Sequence, residues 1–416
     1  MPANNSAPPP AAKLRGAFTH YLSSSALWMA GMSLYGFLFN WLLVGVLEIS
    51  PERVGVARAI AETGPLLVLL IGGVLADRFD GRRYLLVMHG LMALPALAIA
   101  FVHAQGALSY AWVVAYGAAL ACIQAMSDPA RQAVLSRVTP IDIQRSVTVM
   151  TIVTSLAGIA AFQVGGQLET LGLILVLVIQ AALFASGALP VGLLPALPPD
   201  ARPGESALQR ISGGFAALRV KPLLSWLIAL NFVSALFNAG AYIVGVPFIV
   251  KEVYAGGAEL YAQVMIVFTV GSIASNALLY LVMPLARPGR LFLLMQLTRI
   301  VILALLFGRP SLWLFYLLIL AWGLNMGVTT TMVRAIVQEE SEPETRARVL
   351  SILLLSFLVS SAVSAPLLGV LIGAYDPLTA LLPGIVVSLL IFGLGLASGR
   401  IWGHVAGEAS ARAEAN

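Results

Sequence analysis

The sequence predicts an all-α membrane protein: twelve transmembrane helices in two pseudo-symmetric six-helix bundles. Three observations predict it. Of 416 residues, 59% are apolar and only 10% charged, whereas about a quarter of a soluble domain is charged. Twelve stretches approach or exceed the ~20 apolar residues that cross a bilayer. The second six of these echo the first at a constant spacing. A transmembrane barrel would alternate every second residue, and these stretches are continuously apolar.

The chain opens on "MPANNSAPPPAAKLR", polar and Pro-rich, with no signal-like apolar run behind it. Residues 1–16 are expected to be a disordered tail. The first bundle, 17–197, holds candidate helices at 22–47, 54–76, 84–103, 107–127, 146–168 and 171–196. A linker, 198–221, follows. The second bundle, 222–400, holds 222–249, 260–283, 291–307, 311–333, 349–374 and 378–399, and residues 401–416 form a second tail. Pro65, Pro190, Pro247, Pro366 and the Gly165–Gly166 pair lie inside segments. Membrane helices tolerate such residues where neighbours satisfy the freed backbone groups, so they mark expected kinks. In the linker, Glu205 to Arg219 reads equally well as a short surface helix or as plain connection.

Orientation follows lysine and arginine. With the N-terminus inside, nineteen of the 24 fall on inner stretches. The outer ends hold Arg53, Arg58, Lys251 and Arg309, and Arg299 lies within the ninth segment. Both termini are therefore expected in the cytoplasm. The positive charge belongs to the inner face of a membrane protein, and no nucleic-acid partner is expected.

The repeat has a measurable offset. At a spacing of 203, Arg131 matches Arg334, Pro140 matches Pro343, Arg145 matches Arg348 and Gly166 matches Gly369. "DGRR" after the second segment has a weaker echo in "RPGR", Arg287 to Arg290, after the eighth. Duplicated halves are a common transporter design, with the substrate site near the midplane.

Other chemistry is thinly represented. The single cysteine, Cys122, excludes a disulfide framework and a cysteine metal site. His20, His89, His103 and His404 have no ligand spacing, and the glutamates of "QEESEPETR" read as a solvated loop opening the eleventh segment. No phosphate loop is present, which disfavours an ATP-driven pump. No catalytic constellation stands on a loop, so the chain is not read as an enzyme; a membrane-embedded acyl- or glycosyltransferase is the alternative of another class. No metal or cofactor is expected, and nothing demands more than a monomer.

The densest mixed-charge stretch is "GGVLADRFDGRR", Gly72 to Arg83. Its Gly73, Asp77, Arg78, Arg82 and Arg83 resemble the loop signature between helices two and three of the major facilitator superfamily. The loop glycine, Gly81, lies four residues after the acid where many members place it at three; Asp80 stands there instead. "ADRFDGRR", "SDPARQAVL" and "ETRARVLSI" look most like the branch of macrolide-efflux and enterobactin exporters. The resemblance implies that this cluster is a conformational latch between the halves. Asp77 would face the N-terminus of the eleventh helix, whose dipole favours an anion, and Arg82 would pair with Asp128.

The resemblance also implies a cavity lined by helices one, four, seven and ten. Its polar and aromatic members would include Trp28, Tyr35, Asn40, Trp41, Gln124, Asn231, Asn238, Tyr242 and Asn325, each of which could instead glue helices together. Such a lining suits amphipathic or neutral organic solutes. Glu62 is an intramembrane carboxylate and thus a proton-coupling candidate, but Arg58 on the same face offers an ion pair instead; Asp128 is next. Arg299 is expected to be structural or lipid-facing, its stem reaching toward the inner headgroups. Exporters of this superfamily often carry Gly-Pro where Ala161 and Phe162 stand. The expected function is a secondary active exporter of a drug- or siderophore-like molecule by alternating access in a bacterial inner membrane, with proton antiport open. A transporter of lysolipids or lipid-like molecules is the alternative.

Overall fold

A computed structural model describes residues 11–139, 143–198 and 207–405, without the side chains at 11–15, 67, 69–74, 76–77, 143–145, 207–211 and 343. It is helical throughout, with no strand among the described residues. The first half runs α1 (Ala11–Trp41), α2 (Pro51–Arg78), α3 (Gly81–Ala104), α4 (Tyr110–Val138), α5 (Ile143–Gly166) and α6 (Leu173–Ser186). A linker helix, Ala207–Val220, precedes α7 (Pro222–Gly240), α8 (Ala258–Val282), α9 (Pro288–Phe307), α10 (Leu312–Glu340), α11 (Pro343–Ala374) and α12 (Leu382–Ala397). Among the described residues, 11 helical stretches are long and apolar enough to cross a membrane. The second predicted segment is α2, 28 residues long.

Contacts divide the chain into two units: Met1–Phe39 with Gly64–Pro203, and Asn40–Thr63 with Gly204–Asn416. In the first, α3 packs between α4 and α6. In the second, α8 packs along α10, α9 lies against α10 and α12, and α7 against α11. The second unit also takes in the end of α1 and the start of α2. There Trp41 stacks on Tyr261 with ring centroids 5.4 Å apart, and Lys251 donates to the Val44 carbonyl at 2.7 Å.

The repeat is visible in backbone detail. The α1 helix ends in a π-turn, Leu42–Val46, and α7 reaches one at Ile249–Val253. Each is followed by a non-glycine residue with positive φ: Glu48 at 51° and Ala255 at 48°. Their closing hydrogen bonds also correspond, Leu47 N–H to Leu42 and Tyr254 N–H to Ile249. The offset there is 207. It is still 207 at the helix starts, Pro51 against Ala258 and Gly81 against Pro288. By the ends of α3 and α9, Ala104 and Phe307, it has become 203, and the left-handed residues that follow, Gly106 and Arg309, keep that value. The break lies inside α9, which has 20 residues where α3 has 24, about one helical turn.

Pro247 lies between two π-turns, Ala241–Gly245 and Ile249–Val253. Widened turns of this kind accommodate the missing donor of a membrane proline.

Candidate functional site

The α4 helix carries Gln124, Asp128 and Arg131 at spacings of four and three, which puts them on one face. That face meets α1. The Trp28 indole N–H donates to Gln124 Oε1 at 2.6 Å, and Gln124 Nε2 donates to Asp128 Oδ1 at 2.7 Å. The Arg131 guanidinium lies 4.7 Å from the Trp28 ring centroid and 6.0 Å from that of Tyr21. Desolvated cation–π contacts of this kind contribute about 2 kcal/mol. The Tyr21 hydroxyl donates to the Arg131 carbonyl at 2.6 Å. Arg131 is buried, and its Nη1 has no hydrogen-bond acceptor among the described residues. Two aromatic rings, an amide and a guanidinium with one spare donor are groups that can recognise a polar or anionic aromatic group.

His89 packs edge-on against Trp28, with ring centroids 4.9 Å apart. Its Nδ1 lies 2.8 Å from the Phe184 carbonyl, and its Nε2 lies 2.8 Å from Ser24 Oγ. A carbonyl only accepts, so Nδ1 carries the proton and Nε2 accepts from the serine hydroxyl.

The expected latch residues collect at the end of α2 and the start of α3. Gly73 and Asp77 lie on the α2 backbone, and their side chains are outside the described residues. Arg78 and Arg83 are exposed and Arg82 is half-buried. Among the described residues no ion pair joins Arg82 to Asp128, whose carboxylate is taken up by Gln124. Asp80 is the residue that sequence reasoning missed. It N-caps α3 by accepting from Arg83 N–H at 3.0 Å, and its other oxygen accepts from Leu197 N–H at 2.7 Å. Gly81 N–H donates to the Leu197 carbonyl at 2.9 Å, and Arg137 donates to that of Pro198 at 2.7 Å. The chain after α6 is thereby fastened to the α2–α3 turn and the end of α4. An acid directly before a helix is an N-cap signal, readable here without the family pattern.

The second half fastens the chain after α12 in the corresponding place with different chemistry. Arg290 Nε donates to the Trp402 carbonyl at 3.1 Å and lies over its ring. His404, buried, lies 3.5 Å from Glu340 and 3.9 Å from Glu339 at the end of α10.

Glu62 is ion-paired with Arg58 at 3.2 Å. Most expected cavity residues are engaged with protein groups. Tyr35 donates to the Gly117 carbonyl at 3.2 Å. Asn40 donates to the Tyr261 hydroxyl at 3.1 Å, and Asn238 to the Ser234 carbonyl at 2.9 Å. Tyr242 stacks on Phe268 with centroids 3.8 Å apart and donates to Met265 Sδ at 3.1 Å. Trp41 is spent on Tyr261 as described, and Asn231 on α7 is half-buried.

Arg299 bears out the structural half of the sequence reading and corrects the lipid-facing half. Its residue is only 3% exposed, so it does not reach for headgroups. Its guanidinium donates to Asn325 Oδ1 on α10, Ser234 Oγ on α7, Gln296 Oε1 on its own helix and Thr329 Oγ1 on α10. Asn325 in turn donates to the Met295 carbonyl at 2.6 Å and to Thr298 at 2.7 Å. Neutral acceptors from three helices solvate a charge that would be costly in hydrocarbon.

The family model of the Major Facilitator Superfamily matches residues 21–354. The enterobactin exporter EntS of Shigella boydii serotype 18 is 25% identical over 339 residues, covering 77% of each chain; that of Escherichia coli O81 is equally similar. The crystal structure of the nucleoside transporter NupG superposes with a TM-score of 0.72 at 15% identity, over 92% of this chain and 98% of that one. A bacterial homologue of the human lysosomal transporter Spinster, inward-facing and unoccupied, gives 0.68 at 15%, over 93% and 98%. A helical membrane fold with duplicated halves, a loop signature after α2 and a family match across most of the sequence lead to one assignment: the chain belongs to the Major Facilitator Superfamily and is a multi-pass membrane transporter of small molecules.

Proposed function

We propose that the chain is a secondary active exporter of a small amphipathic organic molecule of drug or siderophore type. It works by alternating access of two halves, 17–197 and 222–400, in a bacterial inner membrane with both termini cytoplasmic. The observation that carries this reading is the similarity to enterobactin exporters over 77% of both chains. The cluster of Tyr21, Trp28, Gln124 and Arg131 supports it, because aromatic rings and one guanidinium suit an aromatic anion such as a catecholate.

The cluster Gly73, Asp77, Arg78, Arg82 and Arg83 serves as the latch whose making and breaking accompanies the switch. If export is proton-coupled, Asp128 is the better carrier. Its carboxylate accepts a hydrogen bond from the neutral Gln124 amide, while Glu62 already holds Arg58.

The test is uptake by inverted vesicles, or by proteoliposomes, of enterobactin and of a panel of amphipathic drugs. Under an imposed proton gradient at least one compound should accumulate above protein-free vesicles and collapse with an uncoupler. Asp77→Asn should impair uptake while leaving the protein folded and inserted. Asp128→Asn should flatten the pH profile more than Glu62→Gln does. Uptake indistinguishable from protein-free vesicles for every compound would sink the exporter reading.

A further inference from the structure

The linker helix rests on the first turns of α11. Gly214 makes this possible, since a Cβ there would approach the Arg348 carbonyl oxygen to 2.7 Å. Between this helix, α7 and α11 runs a groove of about 600 Å³. Its walls are largely apolar, with Phe215, Ala229, Val233, Ile352 and Val359 among them, and Arg219 is the only charged residue that lines it among the described residues. Ile352, Ser356 and Val359 continue at steps of three and four into Val363, Leu367 and Val370, one face of a helix. The latter three are 49%, 37% and 55% exposed. On a helix long and apolar enough to cross a membrane, exposed branched aliphatics suit contact with acyl chains. The linker helix adds exposed Phe215 and Val220.

We propose that this groove holds an acyl chain of an anionic phospholipid, its phosphate held by Arg219. The guanidinium supplies the paired donors that phosphate geometry accepts, beside an otherwise uncharged, largely apolar lining. A choline headgroup would set a second cation beside Arg219, so zwitterionic lipid binds less well. The residues that line it are distinct from Tyr21, Trp28, Gln124 and Arg131, and the proposal does not depend on which solute is carried.

Native mass spectrometry of the full chain in detergent, titrated with phosphatidylglycerol or phosphatidylcholine, reads the site. The first lipid bound should prefer phosphatidylglycerol by roughly fivefold, the discrimination one arginine gives near an anionic headgroup. Arg219→Gln should abolish that preference. Ala229→Trp, which fills the groove without altering charge, should lower retention of the first phosphatidylglycerol, and Val359→Phe gives the same reading should the tryptophan variant fail to fold. Preference retained in Arg219→Gln, wild-type retention in a folded groove-filled variant, or displacement by inorganic phosphate alone would each overturn the proposal.

Discussion

Arg299 and Asn325 are joined twice: Nε and Nη2 of the guanidinium both donate to the same amide oxygen, at 3.0 and 2.8 Å. With Ser234 accepting at 2.6 Å, the pair ties α7, α9 and α10 together. Hydrogen bonds to a charged group contribute about 1.5–3 kcal/mol each, and removing one partner exposes the other's desolvation cost. Asn325→Leu should therefore destabilise the protein by about 2–3 kcal/mol, measured by melting in detergent. Adding Arg299→Met should recover part of the loss, with a coupling of about 1 kcal/mol or more. Strict additivity would dissolve the network into independent contacts.

Asp80 joins two elements with its two oxygens. Asp80→Ala removes an N-cap and a bond to Leu197 N–H, at an expected cost of about 1–2 kcal/mol. Asp80→Asn keeps an acceptor for the cap and should cost less. Hydrogen exchange at Leu197 should quicken in the alanine variant; unchanged protection there would show that the fastening lies elsewhere.

Gly369 faces the backbone of Pro51, and a Cβ would clash with its carbonyl oxygen. Backbone cannot give way as a side-chain tip can. Gly369→Ala should cost about 1–3 kcal/mol by overpacking, visible as a lower melting temperature. A neutral outcome would mean that the start of α2 moves away from α11 without penalty.

Lys251 donates to Glu48 at 2.9 Å, and this hydrogen bond, with the charge behind it, holds the Glu48 carboxyl below the usual glutamate range. A lowered folded pKa stabilises above the unfolded value and ceases to do so as pH falls through the folded one. Glu48→Gln should thus melt lower than the parent at neutral pH, with the difference shrinking to nothing in acid. It should also shrink in high salt, because the pair is exposed. A difference that persists in acid would assign the effect to packing.

The twelve apolar segments and the doubled plan were legible because the bilayer imposes length and continuity on each helix. The fate of individual polar groups was not. Arg299 looked solitary because its main acceptor, Asn325, is 26 residues away and comes alongside only when α9 packs on α10. Asn325, Asn40 and Asn238 were open between cavity lining and helix glue, because an amide in an apolar run reads the same whether it meets a ligand or another helix. The pair Arg58 and Glu62 was foreseeable, being four apart on one helix. Asp80 was noticed only as a departure from a family pattern, although its position before α3 foretold a local structural duty.

The turn that α9 lacks means that no single ruler equates the two halves. Near the π-turns a residue finds its counterpart 207 places on, and past the end of α3 it finds it 203 places on. A chimera that exchanged α3 for α9 by one fixed spacing would misplace everything beyond the splice by four residues, about 6 Å along the axis. Whoever transplants a side chain from one half to the other must first ask at which depth of the bilayer it sits.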